Sequence, residues 1–279
     1  MNATTFAQGL AVVALWMVSG SAALAFTGTY TPGTGINGTV HDLGTAHNGM
    51  DYTANPDDTL DRICIFCHAP HNTYRLSAAN GGPGAGVGSG PQALDDFDYL
   101  PLWNHELTSN AGAYVMYQNG SGAPTVGAKA SQAMLLAMIP GSSSLLCLSC
   151  HDGSIAVNSY GNTSQPTLSQ SSGGSTIGEQ YLIGKDNYLG NHHPIGFDYD
   201  AVQAVDTEIR SADTAEFGSA GTVREHLLGA GNHRMECSTC HSVHNKRNTG
   251  ESLLWRSDLN SQLCLTCHDK GNDPGTATP

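Results

Sequence analysis

CIFCHAPHN occupies residues 64–72, and its first five residues form a Cys-x-x-Cys-His motif that recurs three more times in the chain. The other copies are CLSCH (147–151), CSTCH (237–241) and CLTCH (264–268). In this motif two cysteines form thioethers with a c-type haem, and the histidine becomes the proximal iron ligand. On a helical turn, residues three and four apart share one face, which brings both sulfurs and the imidazole to one haem. The sequence therefore predicts four covalently attached haem c groups.

All eight cysteines of the chain lie in these motifs. The predicted haem-attachment residues are Cys64, Cys67, Cys147, Cys150, Cys237, Cys240, Cys264 and Cys267. The predicted proximal iron ligands are His68, His151, His241 and His268. Three other uses of CxxC pairs stay open, namely a zinc ribbon, disulfides and a dithiol redox centre. At this histidine content, a histidine after every pair would arise by chance with a probability of about five in a million, which favours haem.

The four motifs fall into two kinds that alternate along the chain. CIFCHAPHN at 64 resembles CSTCHSVHN at 237, and we call these the A-type sites. LCLSCHDG at 146 resembles LCLTCHDK at 263, and we call these the B-type sites. The first cysteines of the two kinds stand at positions 64 and 147 in the first copy, and much closer together, at 237 and 264, in the second. This order predicts one two-haem module used twice, with a long insertion in the first copy.

Nine further histidines are available as distal (sixth) iron ligands, whereas only five methionines follow residue 25. Bis-histidine coordination is therefore the simplest prediction. His71 and His244 stand at equivalent places, three residues after the proximal histidine of each A-type site. His41 and His193 precede the two A-type sites in comparable settings, and Pro194 restricts the backbone of His193. We predict these four histidines as the distal ligands.

The other histidines are assigned lesser roles. His105, within LWNHEL, is the reserve candidate for a distal ligand. We expect His47, His226 and His233 to be exposed or to hydrogen-bond haem propionates, and His192 to point elsewhere than its neighbour His193.

The composition predicts a fold in which haem replaces part of an ordinary apolar core. Only 13% of the 279 residues are charged, and 34 are glycine. Helix-forming stretches are short, at 57–68, 128–139, 199–210 and 257–271, and no run of alternating strands stands out. We predict mostly irregular coil with short α-helices packed around four covalently bound haems, with little β structure.

The N-terminal segment of the chain predicts export. Residues 1–25 contain no charged side chain and end in the small-x-small pattern Ala23-Leu24-Ala25, which predicts a cleaved signal peptide. No later stretch is apolar enough for a transmembrane segment. The net charge of −13 makes nucleic acid an unfavourable partner.

We predict a single tetrahaem domain at 26–279, divided into a first dihaem half (26–160), a flexible Ser/Gly-rich segment (161–180) and a second dihaem half (181–279).

These motifs resemble the multihaem cytochromes with doubled CxxCH motifs. The resemblance also includes HDL (41–43), LWNHEL (102–107) and HPIG (193–196). The four-haem count with an export signal further resembles the OmcE-type extracellular cytochromes, which polymerise into conductive filaments. That resemblance implies short helices around a continuous haem stack, bis-histidine ligation throughout, and one distal histidine lent by a neighbouring subunit, here His71 or His41.

The sequence thus predicts an electron carrier and not an enzyme. We expect a filament subunit at the cell surface or, alternatively, a monomeric periplasmic shuttle, with further copies of the chain, redox proteins or extracellular electron acceptors as partners. A multihaem reductase is a third alternative, but it needs one iron with an open position, and the surplus of histidine argues against it. The acidic stretches at 95–99 and 197–200 lack EF-hand spacing, so no metal beyond haem iron is predicted.

Overall fold

The computed structural model describes ten separate stretches of the chain. They are 35–43, 63–70, 102–108, 110, 113–116, 143–157, 159–160, 177–229, 231–247 and 253–270. The predicted signal peptide (1–25), the helix predicted at 128–139, His47 and His71 lie outside the described residues. Within these stretches no helix is long and apolar enough to cross a membrane.

The regular structure of the described residues consists of five short α-helices, four 3-10 turns and one pair of two-residue strands. The helices are α1 (Ser143–His151), α2 (Tyr199–Val205), α3 (Val223–His226), α4 (Cys237–Cys240) and α5 (Gln262–Cys267). The strands are β1 (Phe197–Asp198) and β2 (Arg234–Met235), which are antiparallel with Phe197 opposite Met235. The 3-10 turns are Glu179–Tyr181, Lys185–Asn187, Gly218–Ala220 and Leu259–Ser261. The remaining described residues are turns, bends, isolated bridges and irregular segments.

Two of the predicted helical stretches contain a helix. α2 lies within 199–210 and begins after Asp198, whose side chain accepts a hydrogen bond from the Ala201 N–H at 3.0 Å. Such a side chain satisfies one of the N–H groups that the first turn of a helix leaves without a partner. α5 lies within 257–271, and the described part of 57–68 forms a turn. Packing around haem stays a prediction.

α1 carries the first B-type motif and is followed by a turn with a left-handed glycine. The side chains of Leu145 and Leu148 are buried. After the helix the chain turns at Gly153, whose φ is +76°. A Cβ at this position would lie 2.9 Å from Leu182 Cδ2, so the end of that side chain would have to shift to accommodate a larger residue. A left-handed glycine just past a helix is a common C-terminal stop.

The second half of the chain has one contiguous apolar core. Cys240 and Trp255 pack against it, and Cys267 of the second B-type motif is one of its members, so packing joins both motifs of this half. Its eleven buried residues are Phe197, Tyr199, Val202, Ile209, Ala212, Ala215, Phe217, Val223, Leu227, Met235 and Cys267.

The first half has two smaller apolar clusters. One consists of Tyr114, Leu145, Leu148 and Leu189, and the other of Phe66, Val157 and Tyr160. Leu189 comes from the stretch predicted as the second half, so the first of these clusters joins the two halves. The Ile183 N–H also donates to the His151 carbonyl at 2.7 Å, which ties the chain after residue 176 to the end of α1.

Candidate haem sites

The four motifs share a helical turn at their histidine. In three of them the histidine N–H donates to the carbonyl of the cysteine four residues earlier, at 2.8 Å (His68 to Cys64), 3.2 Å (His241 to Cys237) and 3.0 Å (His268 to Cys264). In the remaining motif His151 is the last residue of α1. At this spacing, two cysteines three residues apart and the histidine after them share one face of a turn.

All eight cysteines are free thiols in the structure. Burial raises the pKa of the Cys67 thiol to about 11 and that of the Cys240 thiol to about 12, with nearby thiols adding to the increase. The pKa of Cys237 is lowered, because the thiol of Cys147, from a different motif, hydrogen-bonds to it. The hydrogen bond that lowers this pKa joins thiols of two different motifs, whereas a dithiol redox centre pairs the two cysteines of one CxxC motif.

Three ring contacts between histidines occur in the described residues, and each joins one motif histidine to one predicted distal ligand. Their ring centroids lie 6.1 Å apart for His41 and His151, 6.1 Å for His68 and His244, and 6.3 Å for His193 and His268. In every pair the two histidines are far apart in the sequence. The fold therefore brings predicted distal histidines to motif histidines from distant parts of the chain.

The separation in these pairs fits an iron ion between the two rings. A transition metal lies about 2.0 Å from an imidazole nitrogen, and adding about 1.1 Å from nitrogen to ring centroid on each side gives about 6.2 Å between centroids. The observed 6.1–6.3 Å matches that value. No group of three or more His, Cys, Asp or Glu in the described stretches could hold a metal ion. A haem iron needs only two ligands from the protein, since the porphyrin supplies the other four.

Backbone carbonyls orient two of the paired rings. His151 Nδ1 lies 2.9 Å from the Tyr181 carbonyl oxygen, and His193 Nδ1 lies 2.9 Å from the Pro194 carbonyl oxygen. When Nδ1–H donates to a carbonyl, Nε2 is left as the nitrogen that binds a metal. One of these rings belongs to a motif and the other is a predicted distal ligand, so the same arrangement supports both roles.

His41 is partly buried, and its ring contacts the motif histidine His151. Burial lowers the pKa of His41 to about 4, and the proximity of His151 and His241 acts in the same direction. The stretch that carries His41 is attached to the second A-type site, because the Gly35 N–H donates to the Asn245 carbonyl and the Asn245 amide donates back to the Gly35 carbonyl. A neutral imidazole is the form that binds iron.

The reserve histidine and one of the histidines predicted as non-ligands have other partners. His105 is 1% exposed, and its Nδ1 and Nε2 lie 2.8 Å and 3.1 Å from the carbonyl oxygens of Glu106 and Ala156. His226 Nε2 lies 3.0 Å from the Ala220 carbonyl oxygen, and its ring packs on Trp255 with centroids 4.5 Å apart. In both rings Nε2 faces a carbonyl oxygen. Neither ring takes part in the three contacts between motif histidines and predicted distal ligands.

The first A-type and first B-type sites are joined through the stretch 102–108. The Asn104 backbone N–H donates to the Cys67 carbonyl at 2.8 Å, and its side-chain amide donates to the Ile65 carbonyl at 2.7 Å. Farther along, His105 Nε2 lies 3.4 Å from Cys150 Sγ, and the Thr108 N–H donates to Ser149 Oγ at 3.1 Å. Sequence reasoning named LWNHEL for a resemblance and for the reserve ligand His105, and it did not predict this linking role.

The first B-type site also contacts the second A-type site. Ser143 Oγ and Ser238 Oγ lie 2.8 Å apart, and the Cys237 N–H donates to Ser144 Oγ at 3.1 Å. These contacts pack the start of α1 against the start of α4. The thiols of Cys147 and Cys237 also hydrogen-bond to each other, as their pKa shifts record.

The second A-type and second B-type sites are joined by the chain that runs between them. The Trp255 N–H donates to the Cys240 carbonyl at 3.1 Å, and Arg256 Nη1 donates to Thr266 Oγ1 at 2.7 Å. With the two preceding contacts, this one links the four motifs pairwise in the order in which they occur in the chain.

A cavity of about 680 Å³ lies beside His244. Its volume falls within the range of about 300–1,000 Å³ that is typical of small-molecule and cofactor pockets. Lys246 and Arg247 line it together with His226 and Trp255. Glu225 also lines the cavity, so its charged lining is two cations and one carboxylate, and the cations could pair with a carboxylate group such as a haem propionate. Sequence reasoning did not single them out, although the signal was present as KR directly after the second A-type site.

The acidic stretch 197–200 has protein partners. Asp198 caps α2, and Asp200 Oδ1 accepts a charge-assisted hydrogen bond from Arg224 Nη2 at 2.8 Å. These contacts account for both carboxylates of this stretch. The other acidic stretch, 95–99, lies outside the described residues.

Residues 230–273 match the family model described as the doubled CXXCH motif. The matched residues contain the second A-type and second B-type sites together. No curated protein matches the chain. The match supports a multihaem c-type cytochrome that transfers electrons, with covalently bound c-type haem.

Proposed function

We propose that this chain is a tetrahaem c-type cytochrome in which bis-histidine haems form a continuous row for electron transfer. The observation that carries the proposal is the set of three histidine pairs, His41–His151, His68–His244 and His193–His268, with centroids 6.1–6.3 Å apart. Each pair combines a motif histidine with one from elsewhere in the chain. A haem with a histidine on each side would have no open position for substrate, so these three sites favour electron transfer, and only the haem at His241 could serve a reductase.

When bound, each haem supplies one-electron chemistry between iron(III) and iron(II). The residues of the chain hold, space and orient the haems. The turns of the motifs set the attachment points, and the carbonyls of Tyr181 and Pro194 orient His151 and His193. The contacts between successive motifs fix their spacing, so that an electron can pass along the row.

We assign His71 to the one motif histidine that has no partner among the three pairs, His241. The assignment rests on the repeat. His244 follows the proximal histidine of the second A-type site by three residues and contacts His68 of the first A-type site. His71 stands at the equivalent place in the first A-type site, so exchange between the two sites would direct it to His241. His71 itself lies outside the described residues.

We further propose that the protein is exported and polymerises at the cell surface, as its resemblance to OmcE-type cytochromes suggests. Since His41, His193 and His244 each contact a motif histidine of the same chain, a histidine lent between subunits has one remaining place, the sixth position at His241. If His71 comes from a neighbouring subunit, the haem attached at Cys237 and Cys240 would have its sixth ligand only in the assembled filament.

The ligand assignment is tested on the exported, haem-loaded protein. Intact mass should give four haems, and the visible and electron paramagnetic resonance spectra should contain only low-spin haem. His193→Ala should convert one of the four haems to high spin, while the adjacent control His192→Ala should leave all four low-spin. A high-spin haem in the unaltered protein that binds cyanide would instead favour the reductase.

Assembly is tested by electron microscopy and size-exclusion chromatography of the secreted protein. Filaments are expected, together with a low-spin fraction that falls by one haem in four when the filaments are dissociated into monomers. If the monomer keeps four low-spin haems, the distal ligand of His241 comes from the same chain. A protein that is monomeric at all concentrations would overturn the filament and leave the monomeric shuttle.

A further inference from the structure

The two B-type sites have the same Cys-His-Asp sequence, but their aspartates lie in opposite environments. Asp152 is 5% exposed, whereas the side chain of Asp269 is 60% exposed. We propose that Asp152 is a fixed, buried negative charge that lowers the reduction potential of the haem attached at Cys147 and Cys150 relative to the haem at Cys264 and Cys267. This inference rests on the proposed function, because it requires haem at both sites.

Four groups donate hydrogen bonds to the Asp152 carboxylate. Oδ2 accepts from the Thr108 hydroxyl at 2.6 Å, from the Tyr114 hydroxyl at 2.7 Å and from the Asn110 amide at 3.1 Å. Oδ1 accepts from the Ser154 backbone N–H at 2.7 Å. An ionised carboxylate accepts hydrogen bonds without donating any, so a set made up entirely of donors holds Asp152 in its charged form. All four donors are uncharged, and they stabilise the negative charge without cancelling it.

The negative charge of the equivalent carboxylate in the second half, Asp269, is weakened by a neighbouring cation and by water. Asp269 Oδ1 lies 2.9 Å from Arg210 Nη2, which places a positive charge directly beside the negative one. The Arg210 N–H also donates to the Cys267 carbonyl at 2.8 Å, so the cation belongs to the same site as its carboxylate. Water screens what remains of the charge, because both side chains are partly or largely exposed.

The direction of the effect follows from electrostatics. Reduction of iron(III) to iron(II) adds one electron, and a nearby buried negative charge opposes that addition. Asp152 directly follows the proximal ligand His151, so the covalent chain between them would keep its carboxylate no farther than about 13 Å from a bound iron. A unit charge at that distance in a medium of effective dielectric constant about 20 changes a one-electron equilibrium by roughly tenfold. For a one-electron couple this corresponds to about 59 mV.

The experiment is a spectroelectrochemical titration of the full, haem-loaded protein, with dithionite as the electron donor and ferricyanide as the oxidant. Only electrons move, and no bond to the protein forms or breaks. In Asp152→Asn, one of the four one-electron components should shift to higher potential by about 59 mV, a tenfold change. In the matched control, Asp269→Asn, the equilibrium constant of the affected one-electron component should change by less than threefold. Equal shifts in the two variants, or none in Asp152→Asn, would overturn the inference.

Tyr114→Phe provides a second variant with the opposite sign. This variant removes one uncharged donor, so the negative charge of Asp152 is less stabilised by its surroundings. One component should therefore move to lower potential, with a change of less than tenfold in its equilibrium constant. If Asp152→Asn does not fold, Tyr114→Phe tests the inference in its place. A shift to higher potential, or no shift, would contradict the inference. Intact mass separates the two proposals, because fewer than four haems in the unaltered protein contradicts the proposed function. Four haems with unchanged potentials contradict only the role of Asp152.

Discussion

The two halves of the chain use the same pair of motifs but hold them in different ways. In the second half, Cys267 belongs to an eleven-residue apolar core and Cys240 packs against it. In the first half, the described apolar clusters contain four and three residues, and neither includes a motif cysteine. There, hydrogen bonds from the stretch 102–108 link the two sites. Motif spacing explains the difference, because the two motifs of the second half are close enough in sequence to pack directly, whereas the long insertion of the first half supplies a separate connecting stretch.

The difference teaches that the haem motif specifies attachment but not its surroundings. Asp152 and Asp269 make the same point within a single pair of equivalent residues, since one is buried among uncharged donors and the other is exposed beside Arg210. Repeated sites can thus differ in stability and potential without any change in the motif itself. The histidine pairs nevertheless cross between the halves, since His244 of the second half contacts His68 of the first.

The largest expected effect comes from breaking that connection between the halves. His244→Ala removes the ring whose centroid lies 6.1 Å from that of His68, so the haem attached at Cys64 and Cys67 should lose its sixth ligand. One of the four haems should become high-spin, as measured by electron paramagnetic resonance and by the visible spectrum. The matched control is His226→Gln, which keeps a donor for the Ala220 carbonyl and should leave every haem low-spin. If His244→Ala also stays low-spin throughout, His244 is not a ligand.

The second prediction tests the packed core of the second half. Phe217 is 2% exposed and lies in the eleven-residue core, so Phe217→Ala should lower the free energy of unfolding by about 3–5 kcal/mol through lost burial and the cavity left behind. Urea unfolding followed by circular dichroism measures the loss. Val205→Ala is the control, since Val205 is 69% exposed, and its effect should stay within about 0.5 kcal/mol. Equal losses for the two variants would mean that the cluster does not stabilise this half.

Much of the site could be predicted from the sequence, because its chemistry is local. The motif fixes two cysteines and a histidine within one short segment, and the A, B, A, B order singled out His244 as a distal ligand by its place in the repeat. The short helix α2 could be predicted from its amphipathic pattern, whereas its cap at Asp198 is seen only in the structure. The distal roles stay predictions, although His41, His193 and His244 each lie beside a motif histidine.

The pairing of histidines could not be predicted, because it depends on contacts between residues that are distant in the sequence, such as His68 and His244. The linking role of Asn104 was equally hidden. Its contacts are with the backbone carbonyls of Ile65 and Cys67, which any residue type offers, so no pattern in the sequence marks them. The burial of Asp152 depends on residues that come from the insertion and not from the motif, as its hydrogen bond from Tyr114 illustrates.

A third, smaller effect is expected in the first half, where polar contacts join the sites. Asn104 is 3% exposed, and Asn104→Ala leaves the Ile65 carbonyl without the side-chain donor that it has at 2.7 Å. The free energy of unfolding should fall by about 1–3 kcal/mol, as for other buried acceptors that lose a partner. Asn191→Ala, at an exposed position, is the control and should change stability by less than about 0.5 kcal/mol. A loss larger than that of Phe217→Ala would contradict the contrast between a packed half and a hydrogen-bonded half.

The smallest effect is expected at the cap of α2, which lies at the edge of the second-half core. Asp198→Ala removes the acceptor for the Ala201 N–H, and losses of about 1 kcal/mol are usual for such a change. Asp198→Asn keeps an acceptor at the same place and should retain most of the stability in the same urea titration. Because Tyr199 and Val202 of this helix are buried in the core, packing should keep α2 folded even without its cap. A loss approaching that of Phe217→Ala would instead mean that the cap, and not the core, determines whether this helix forms.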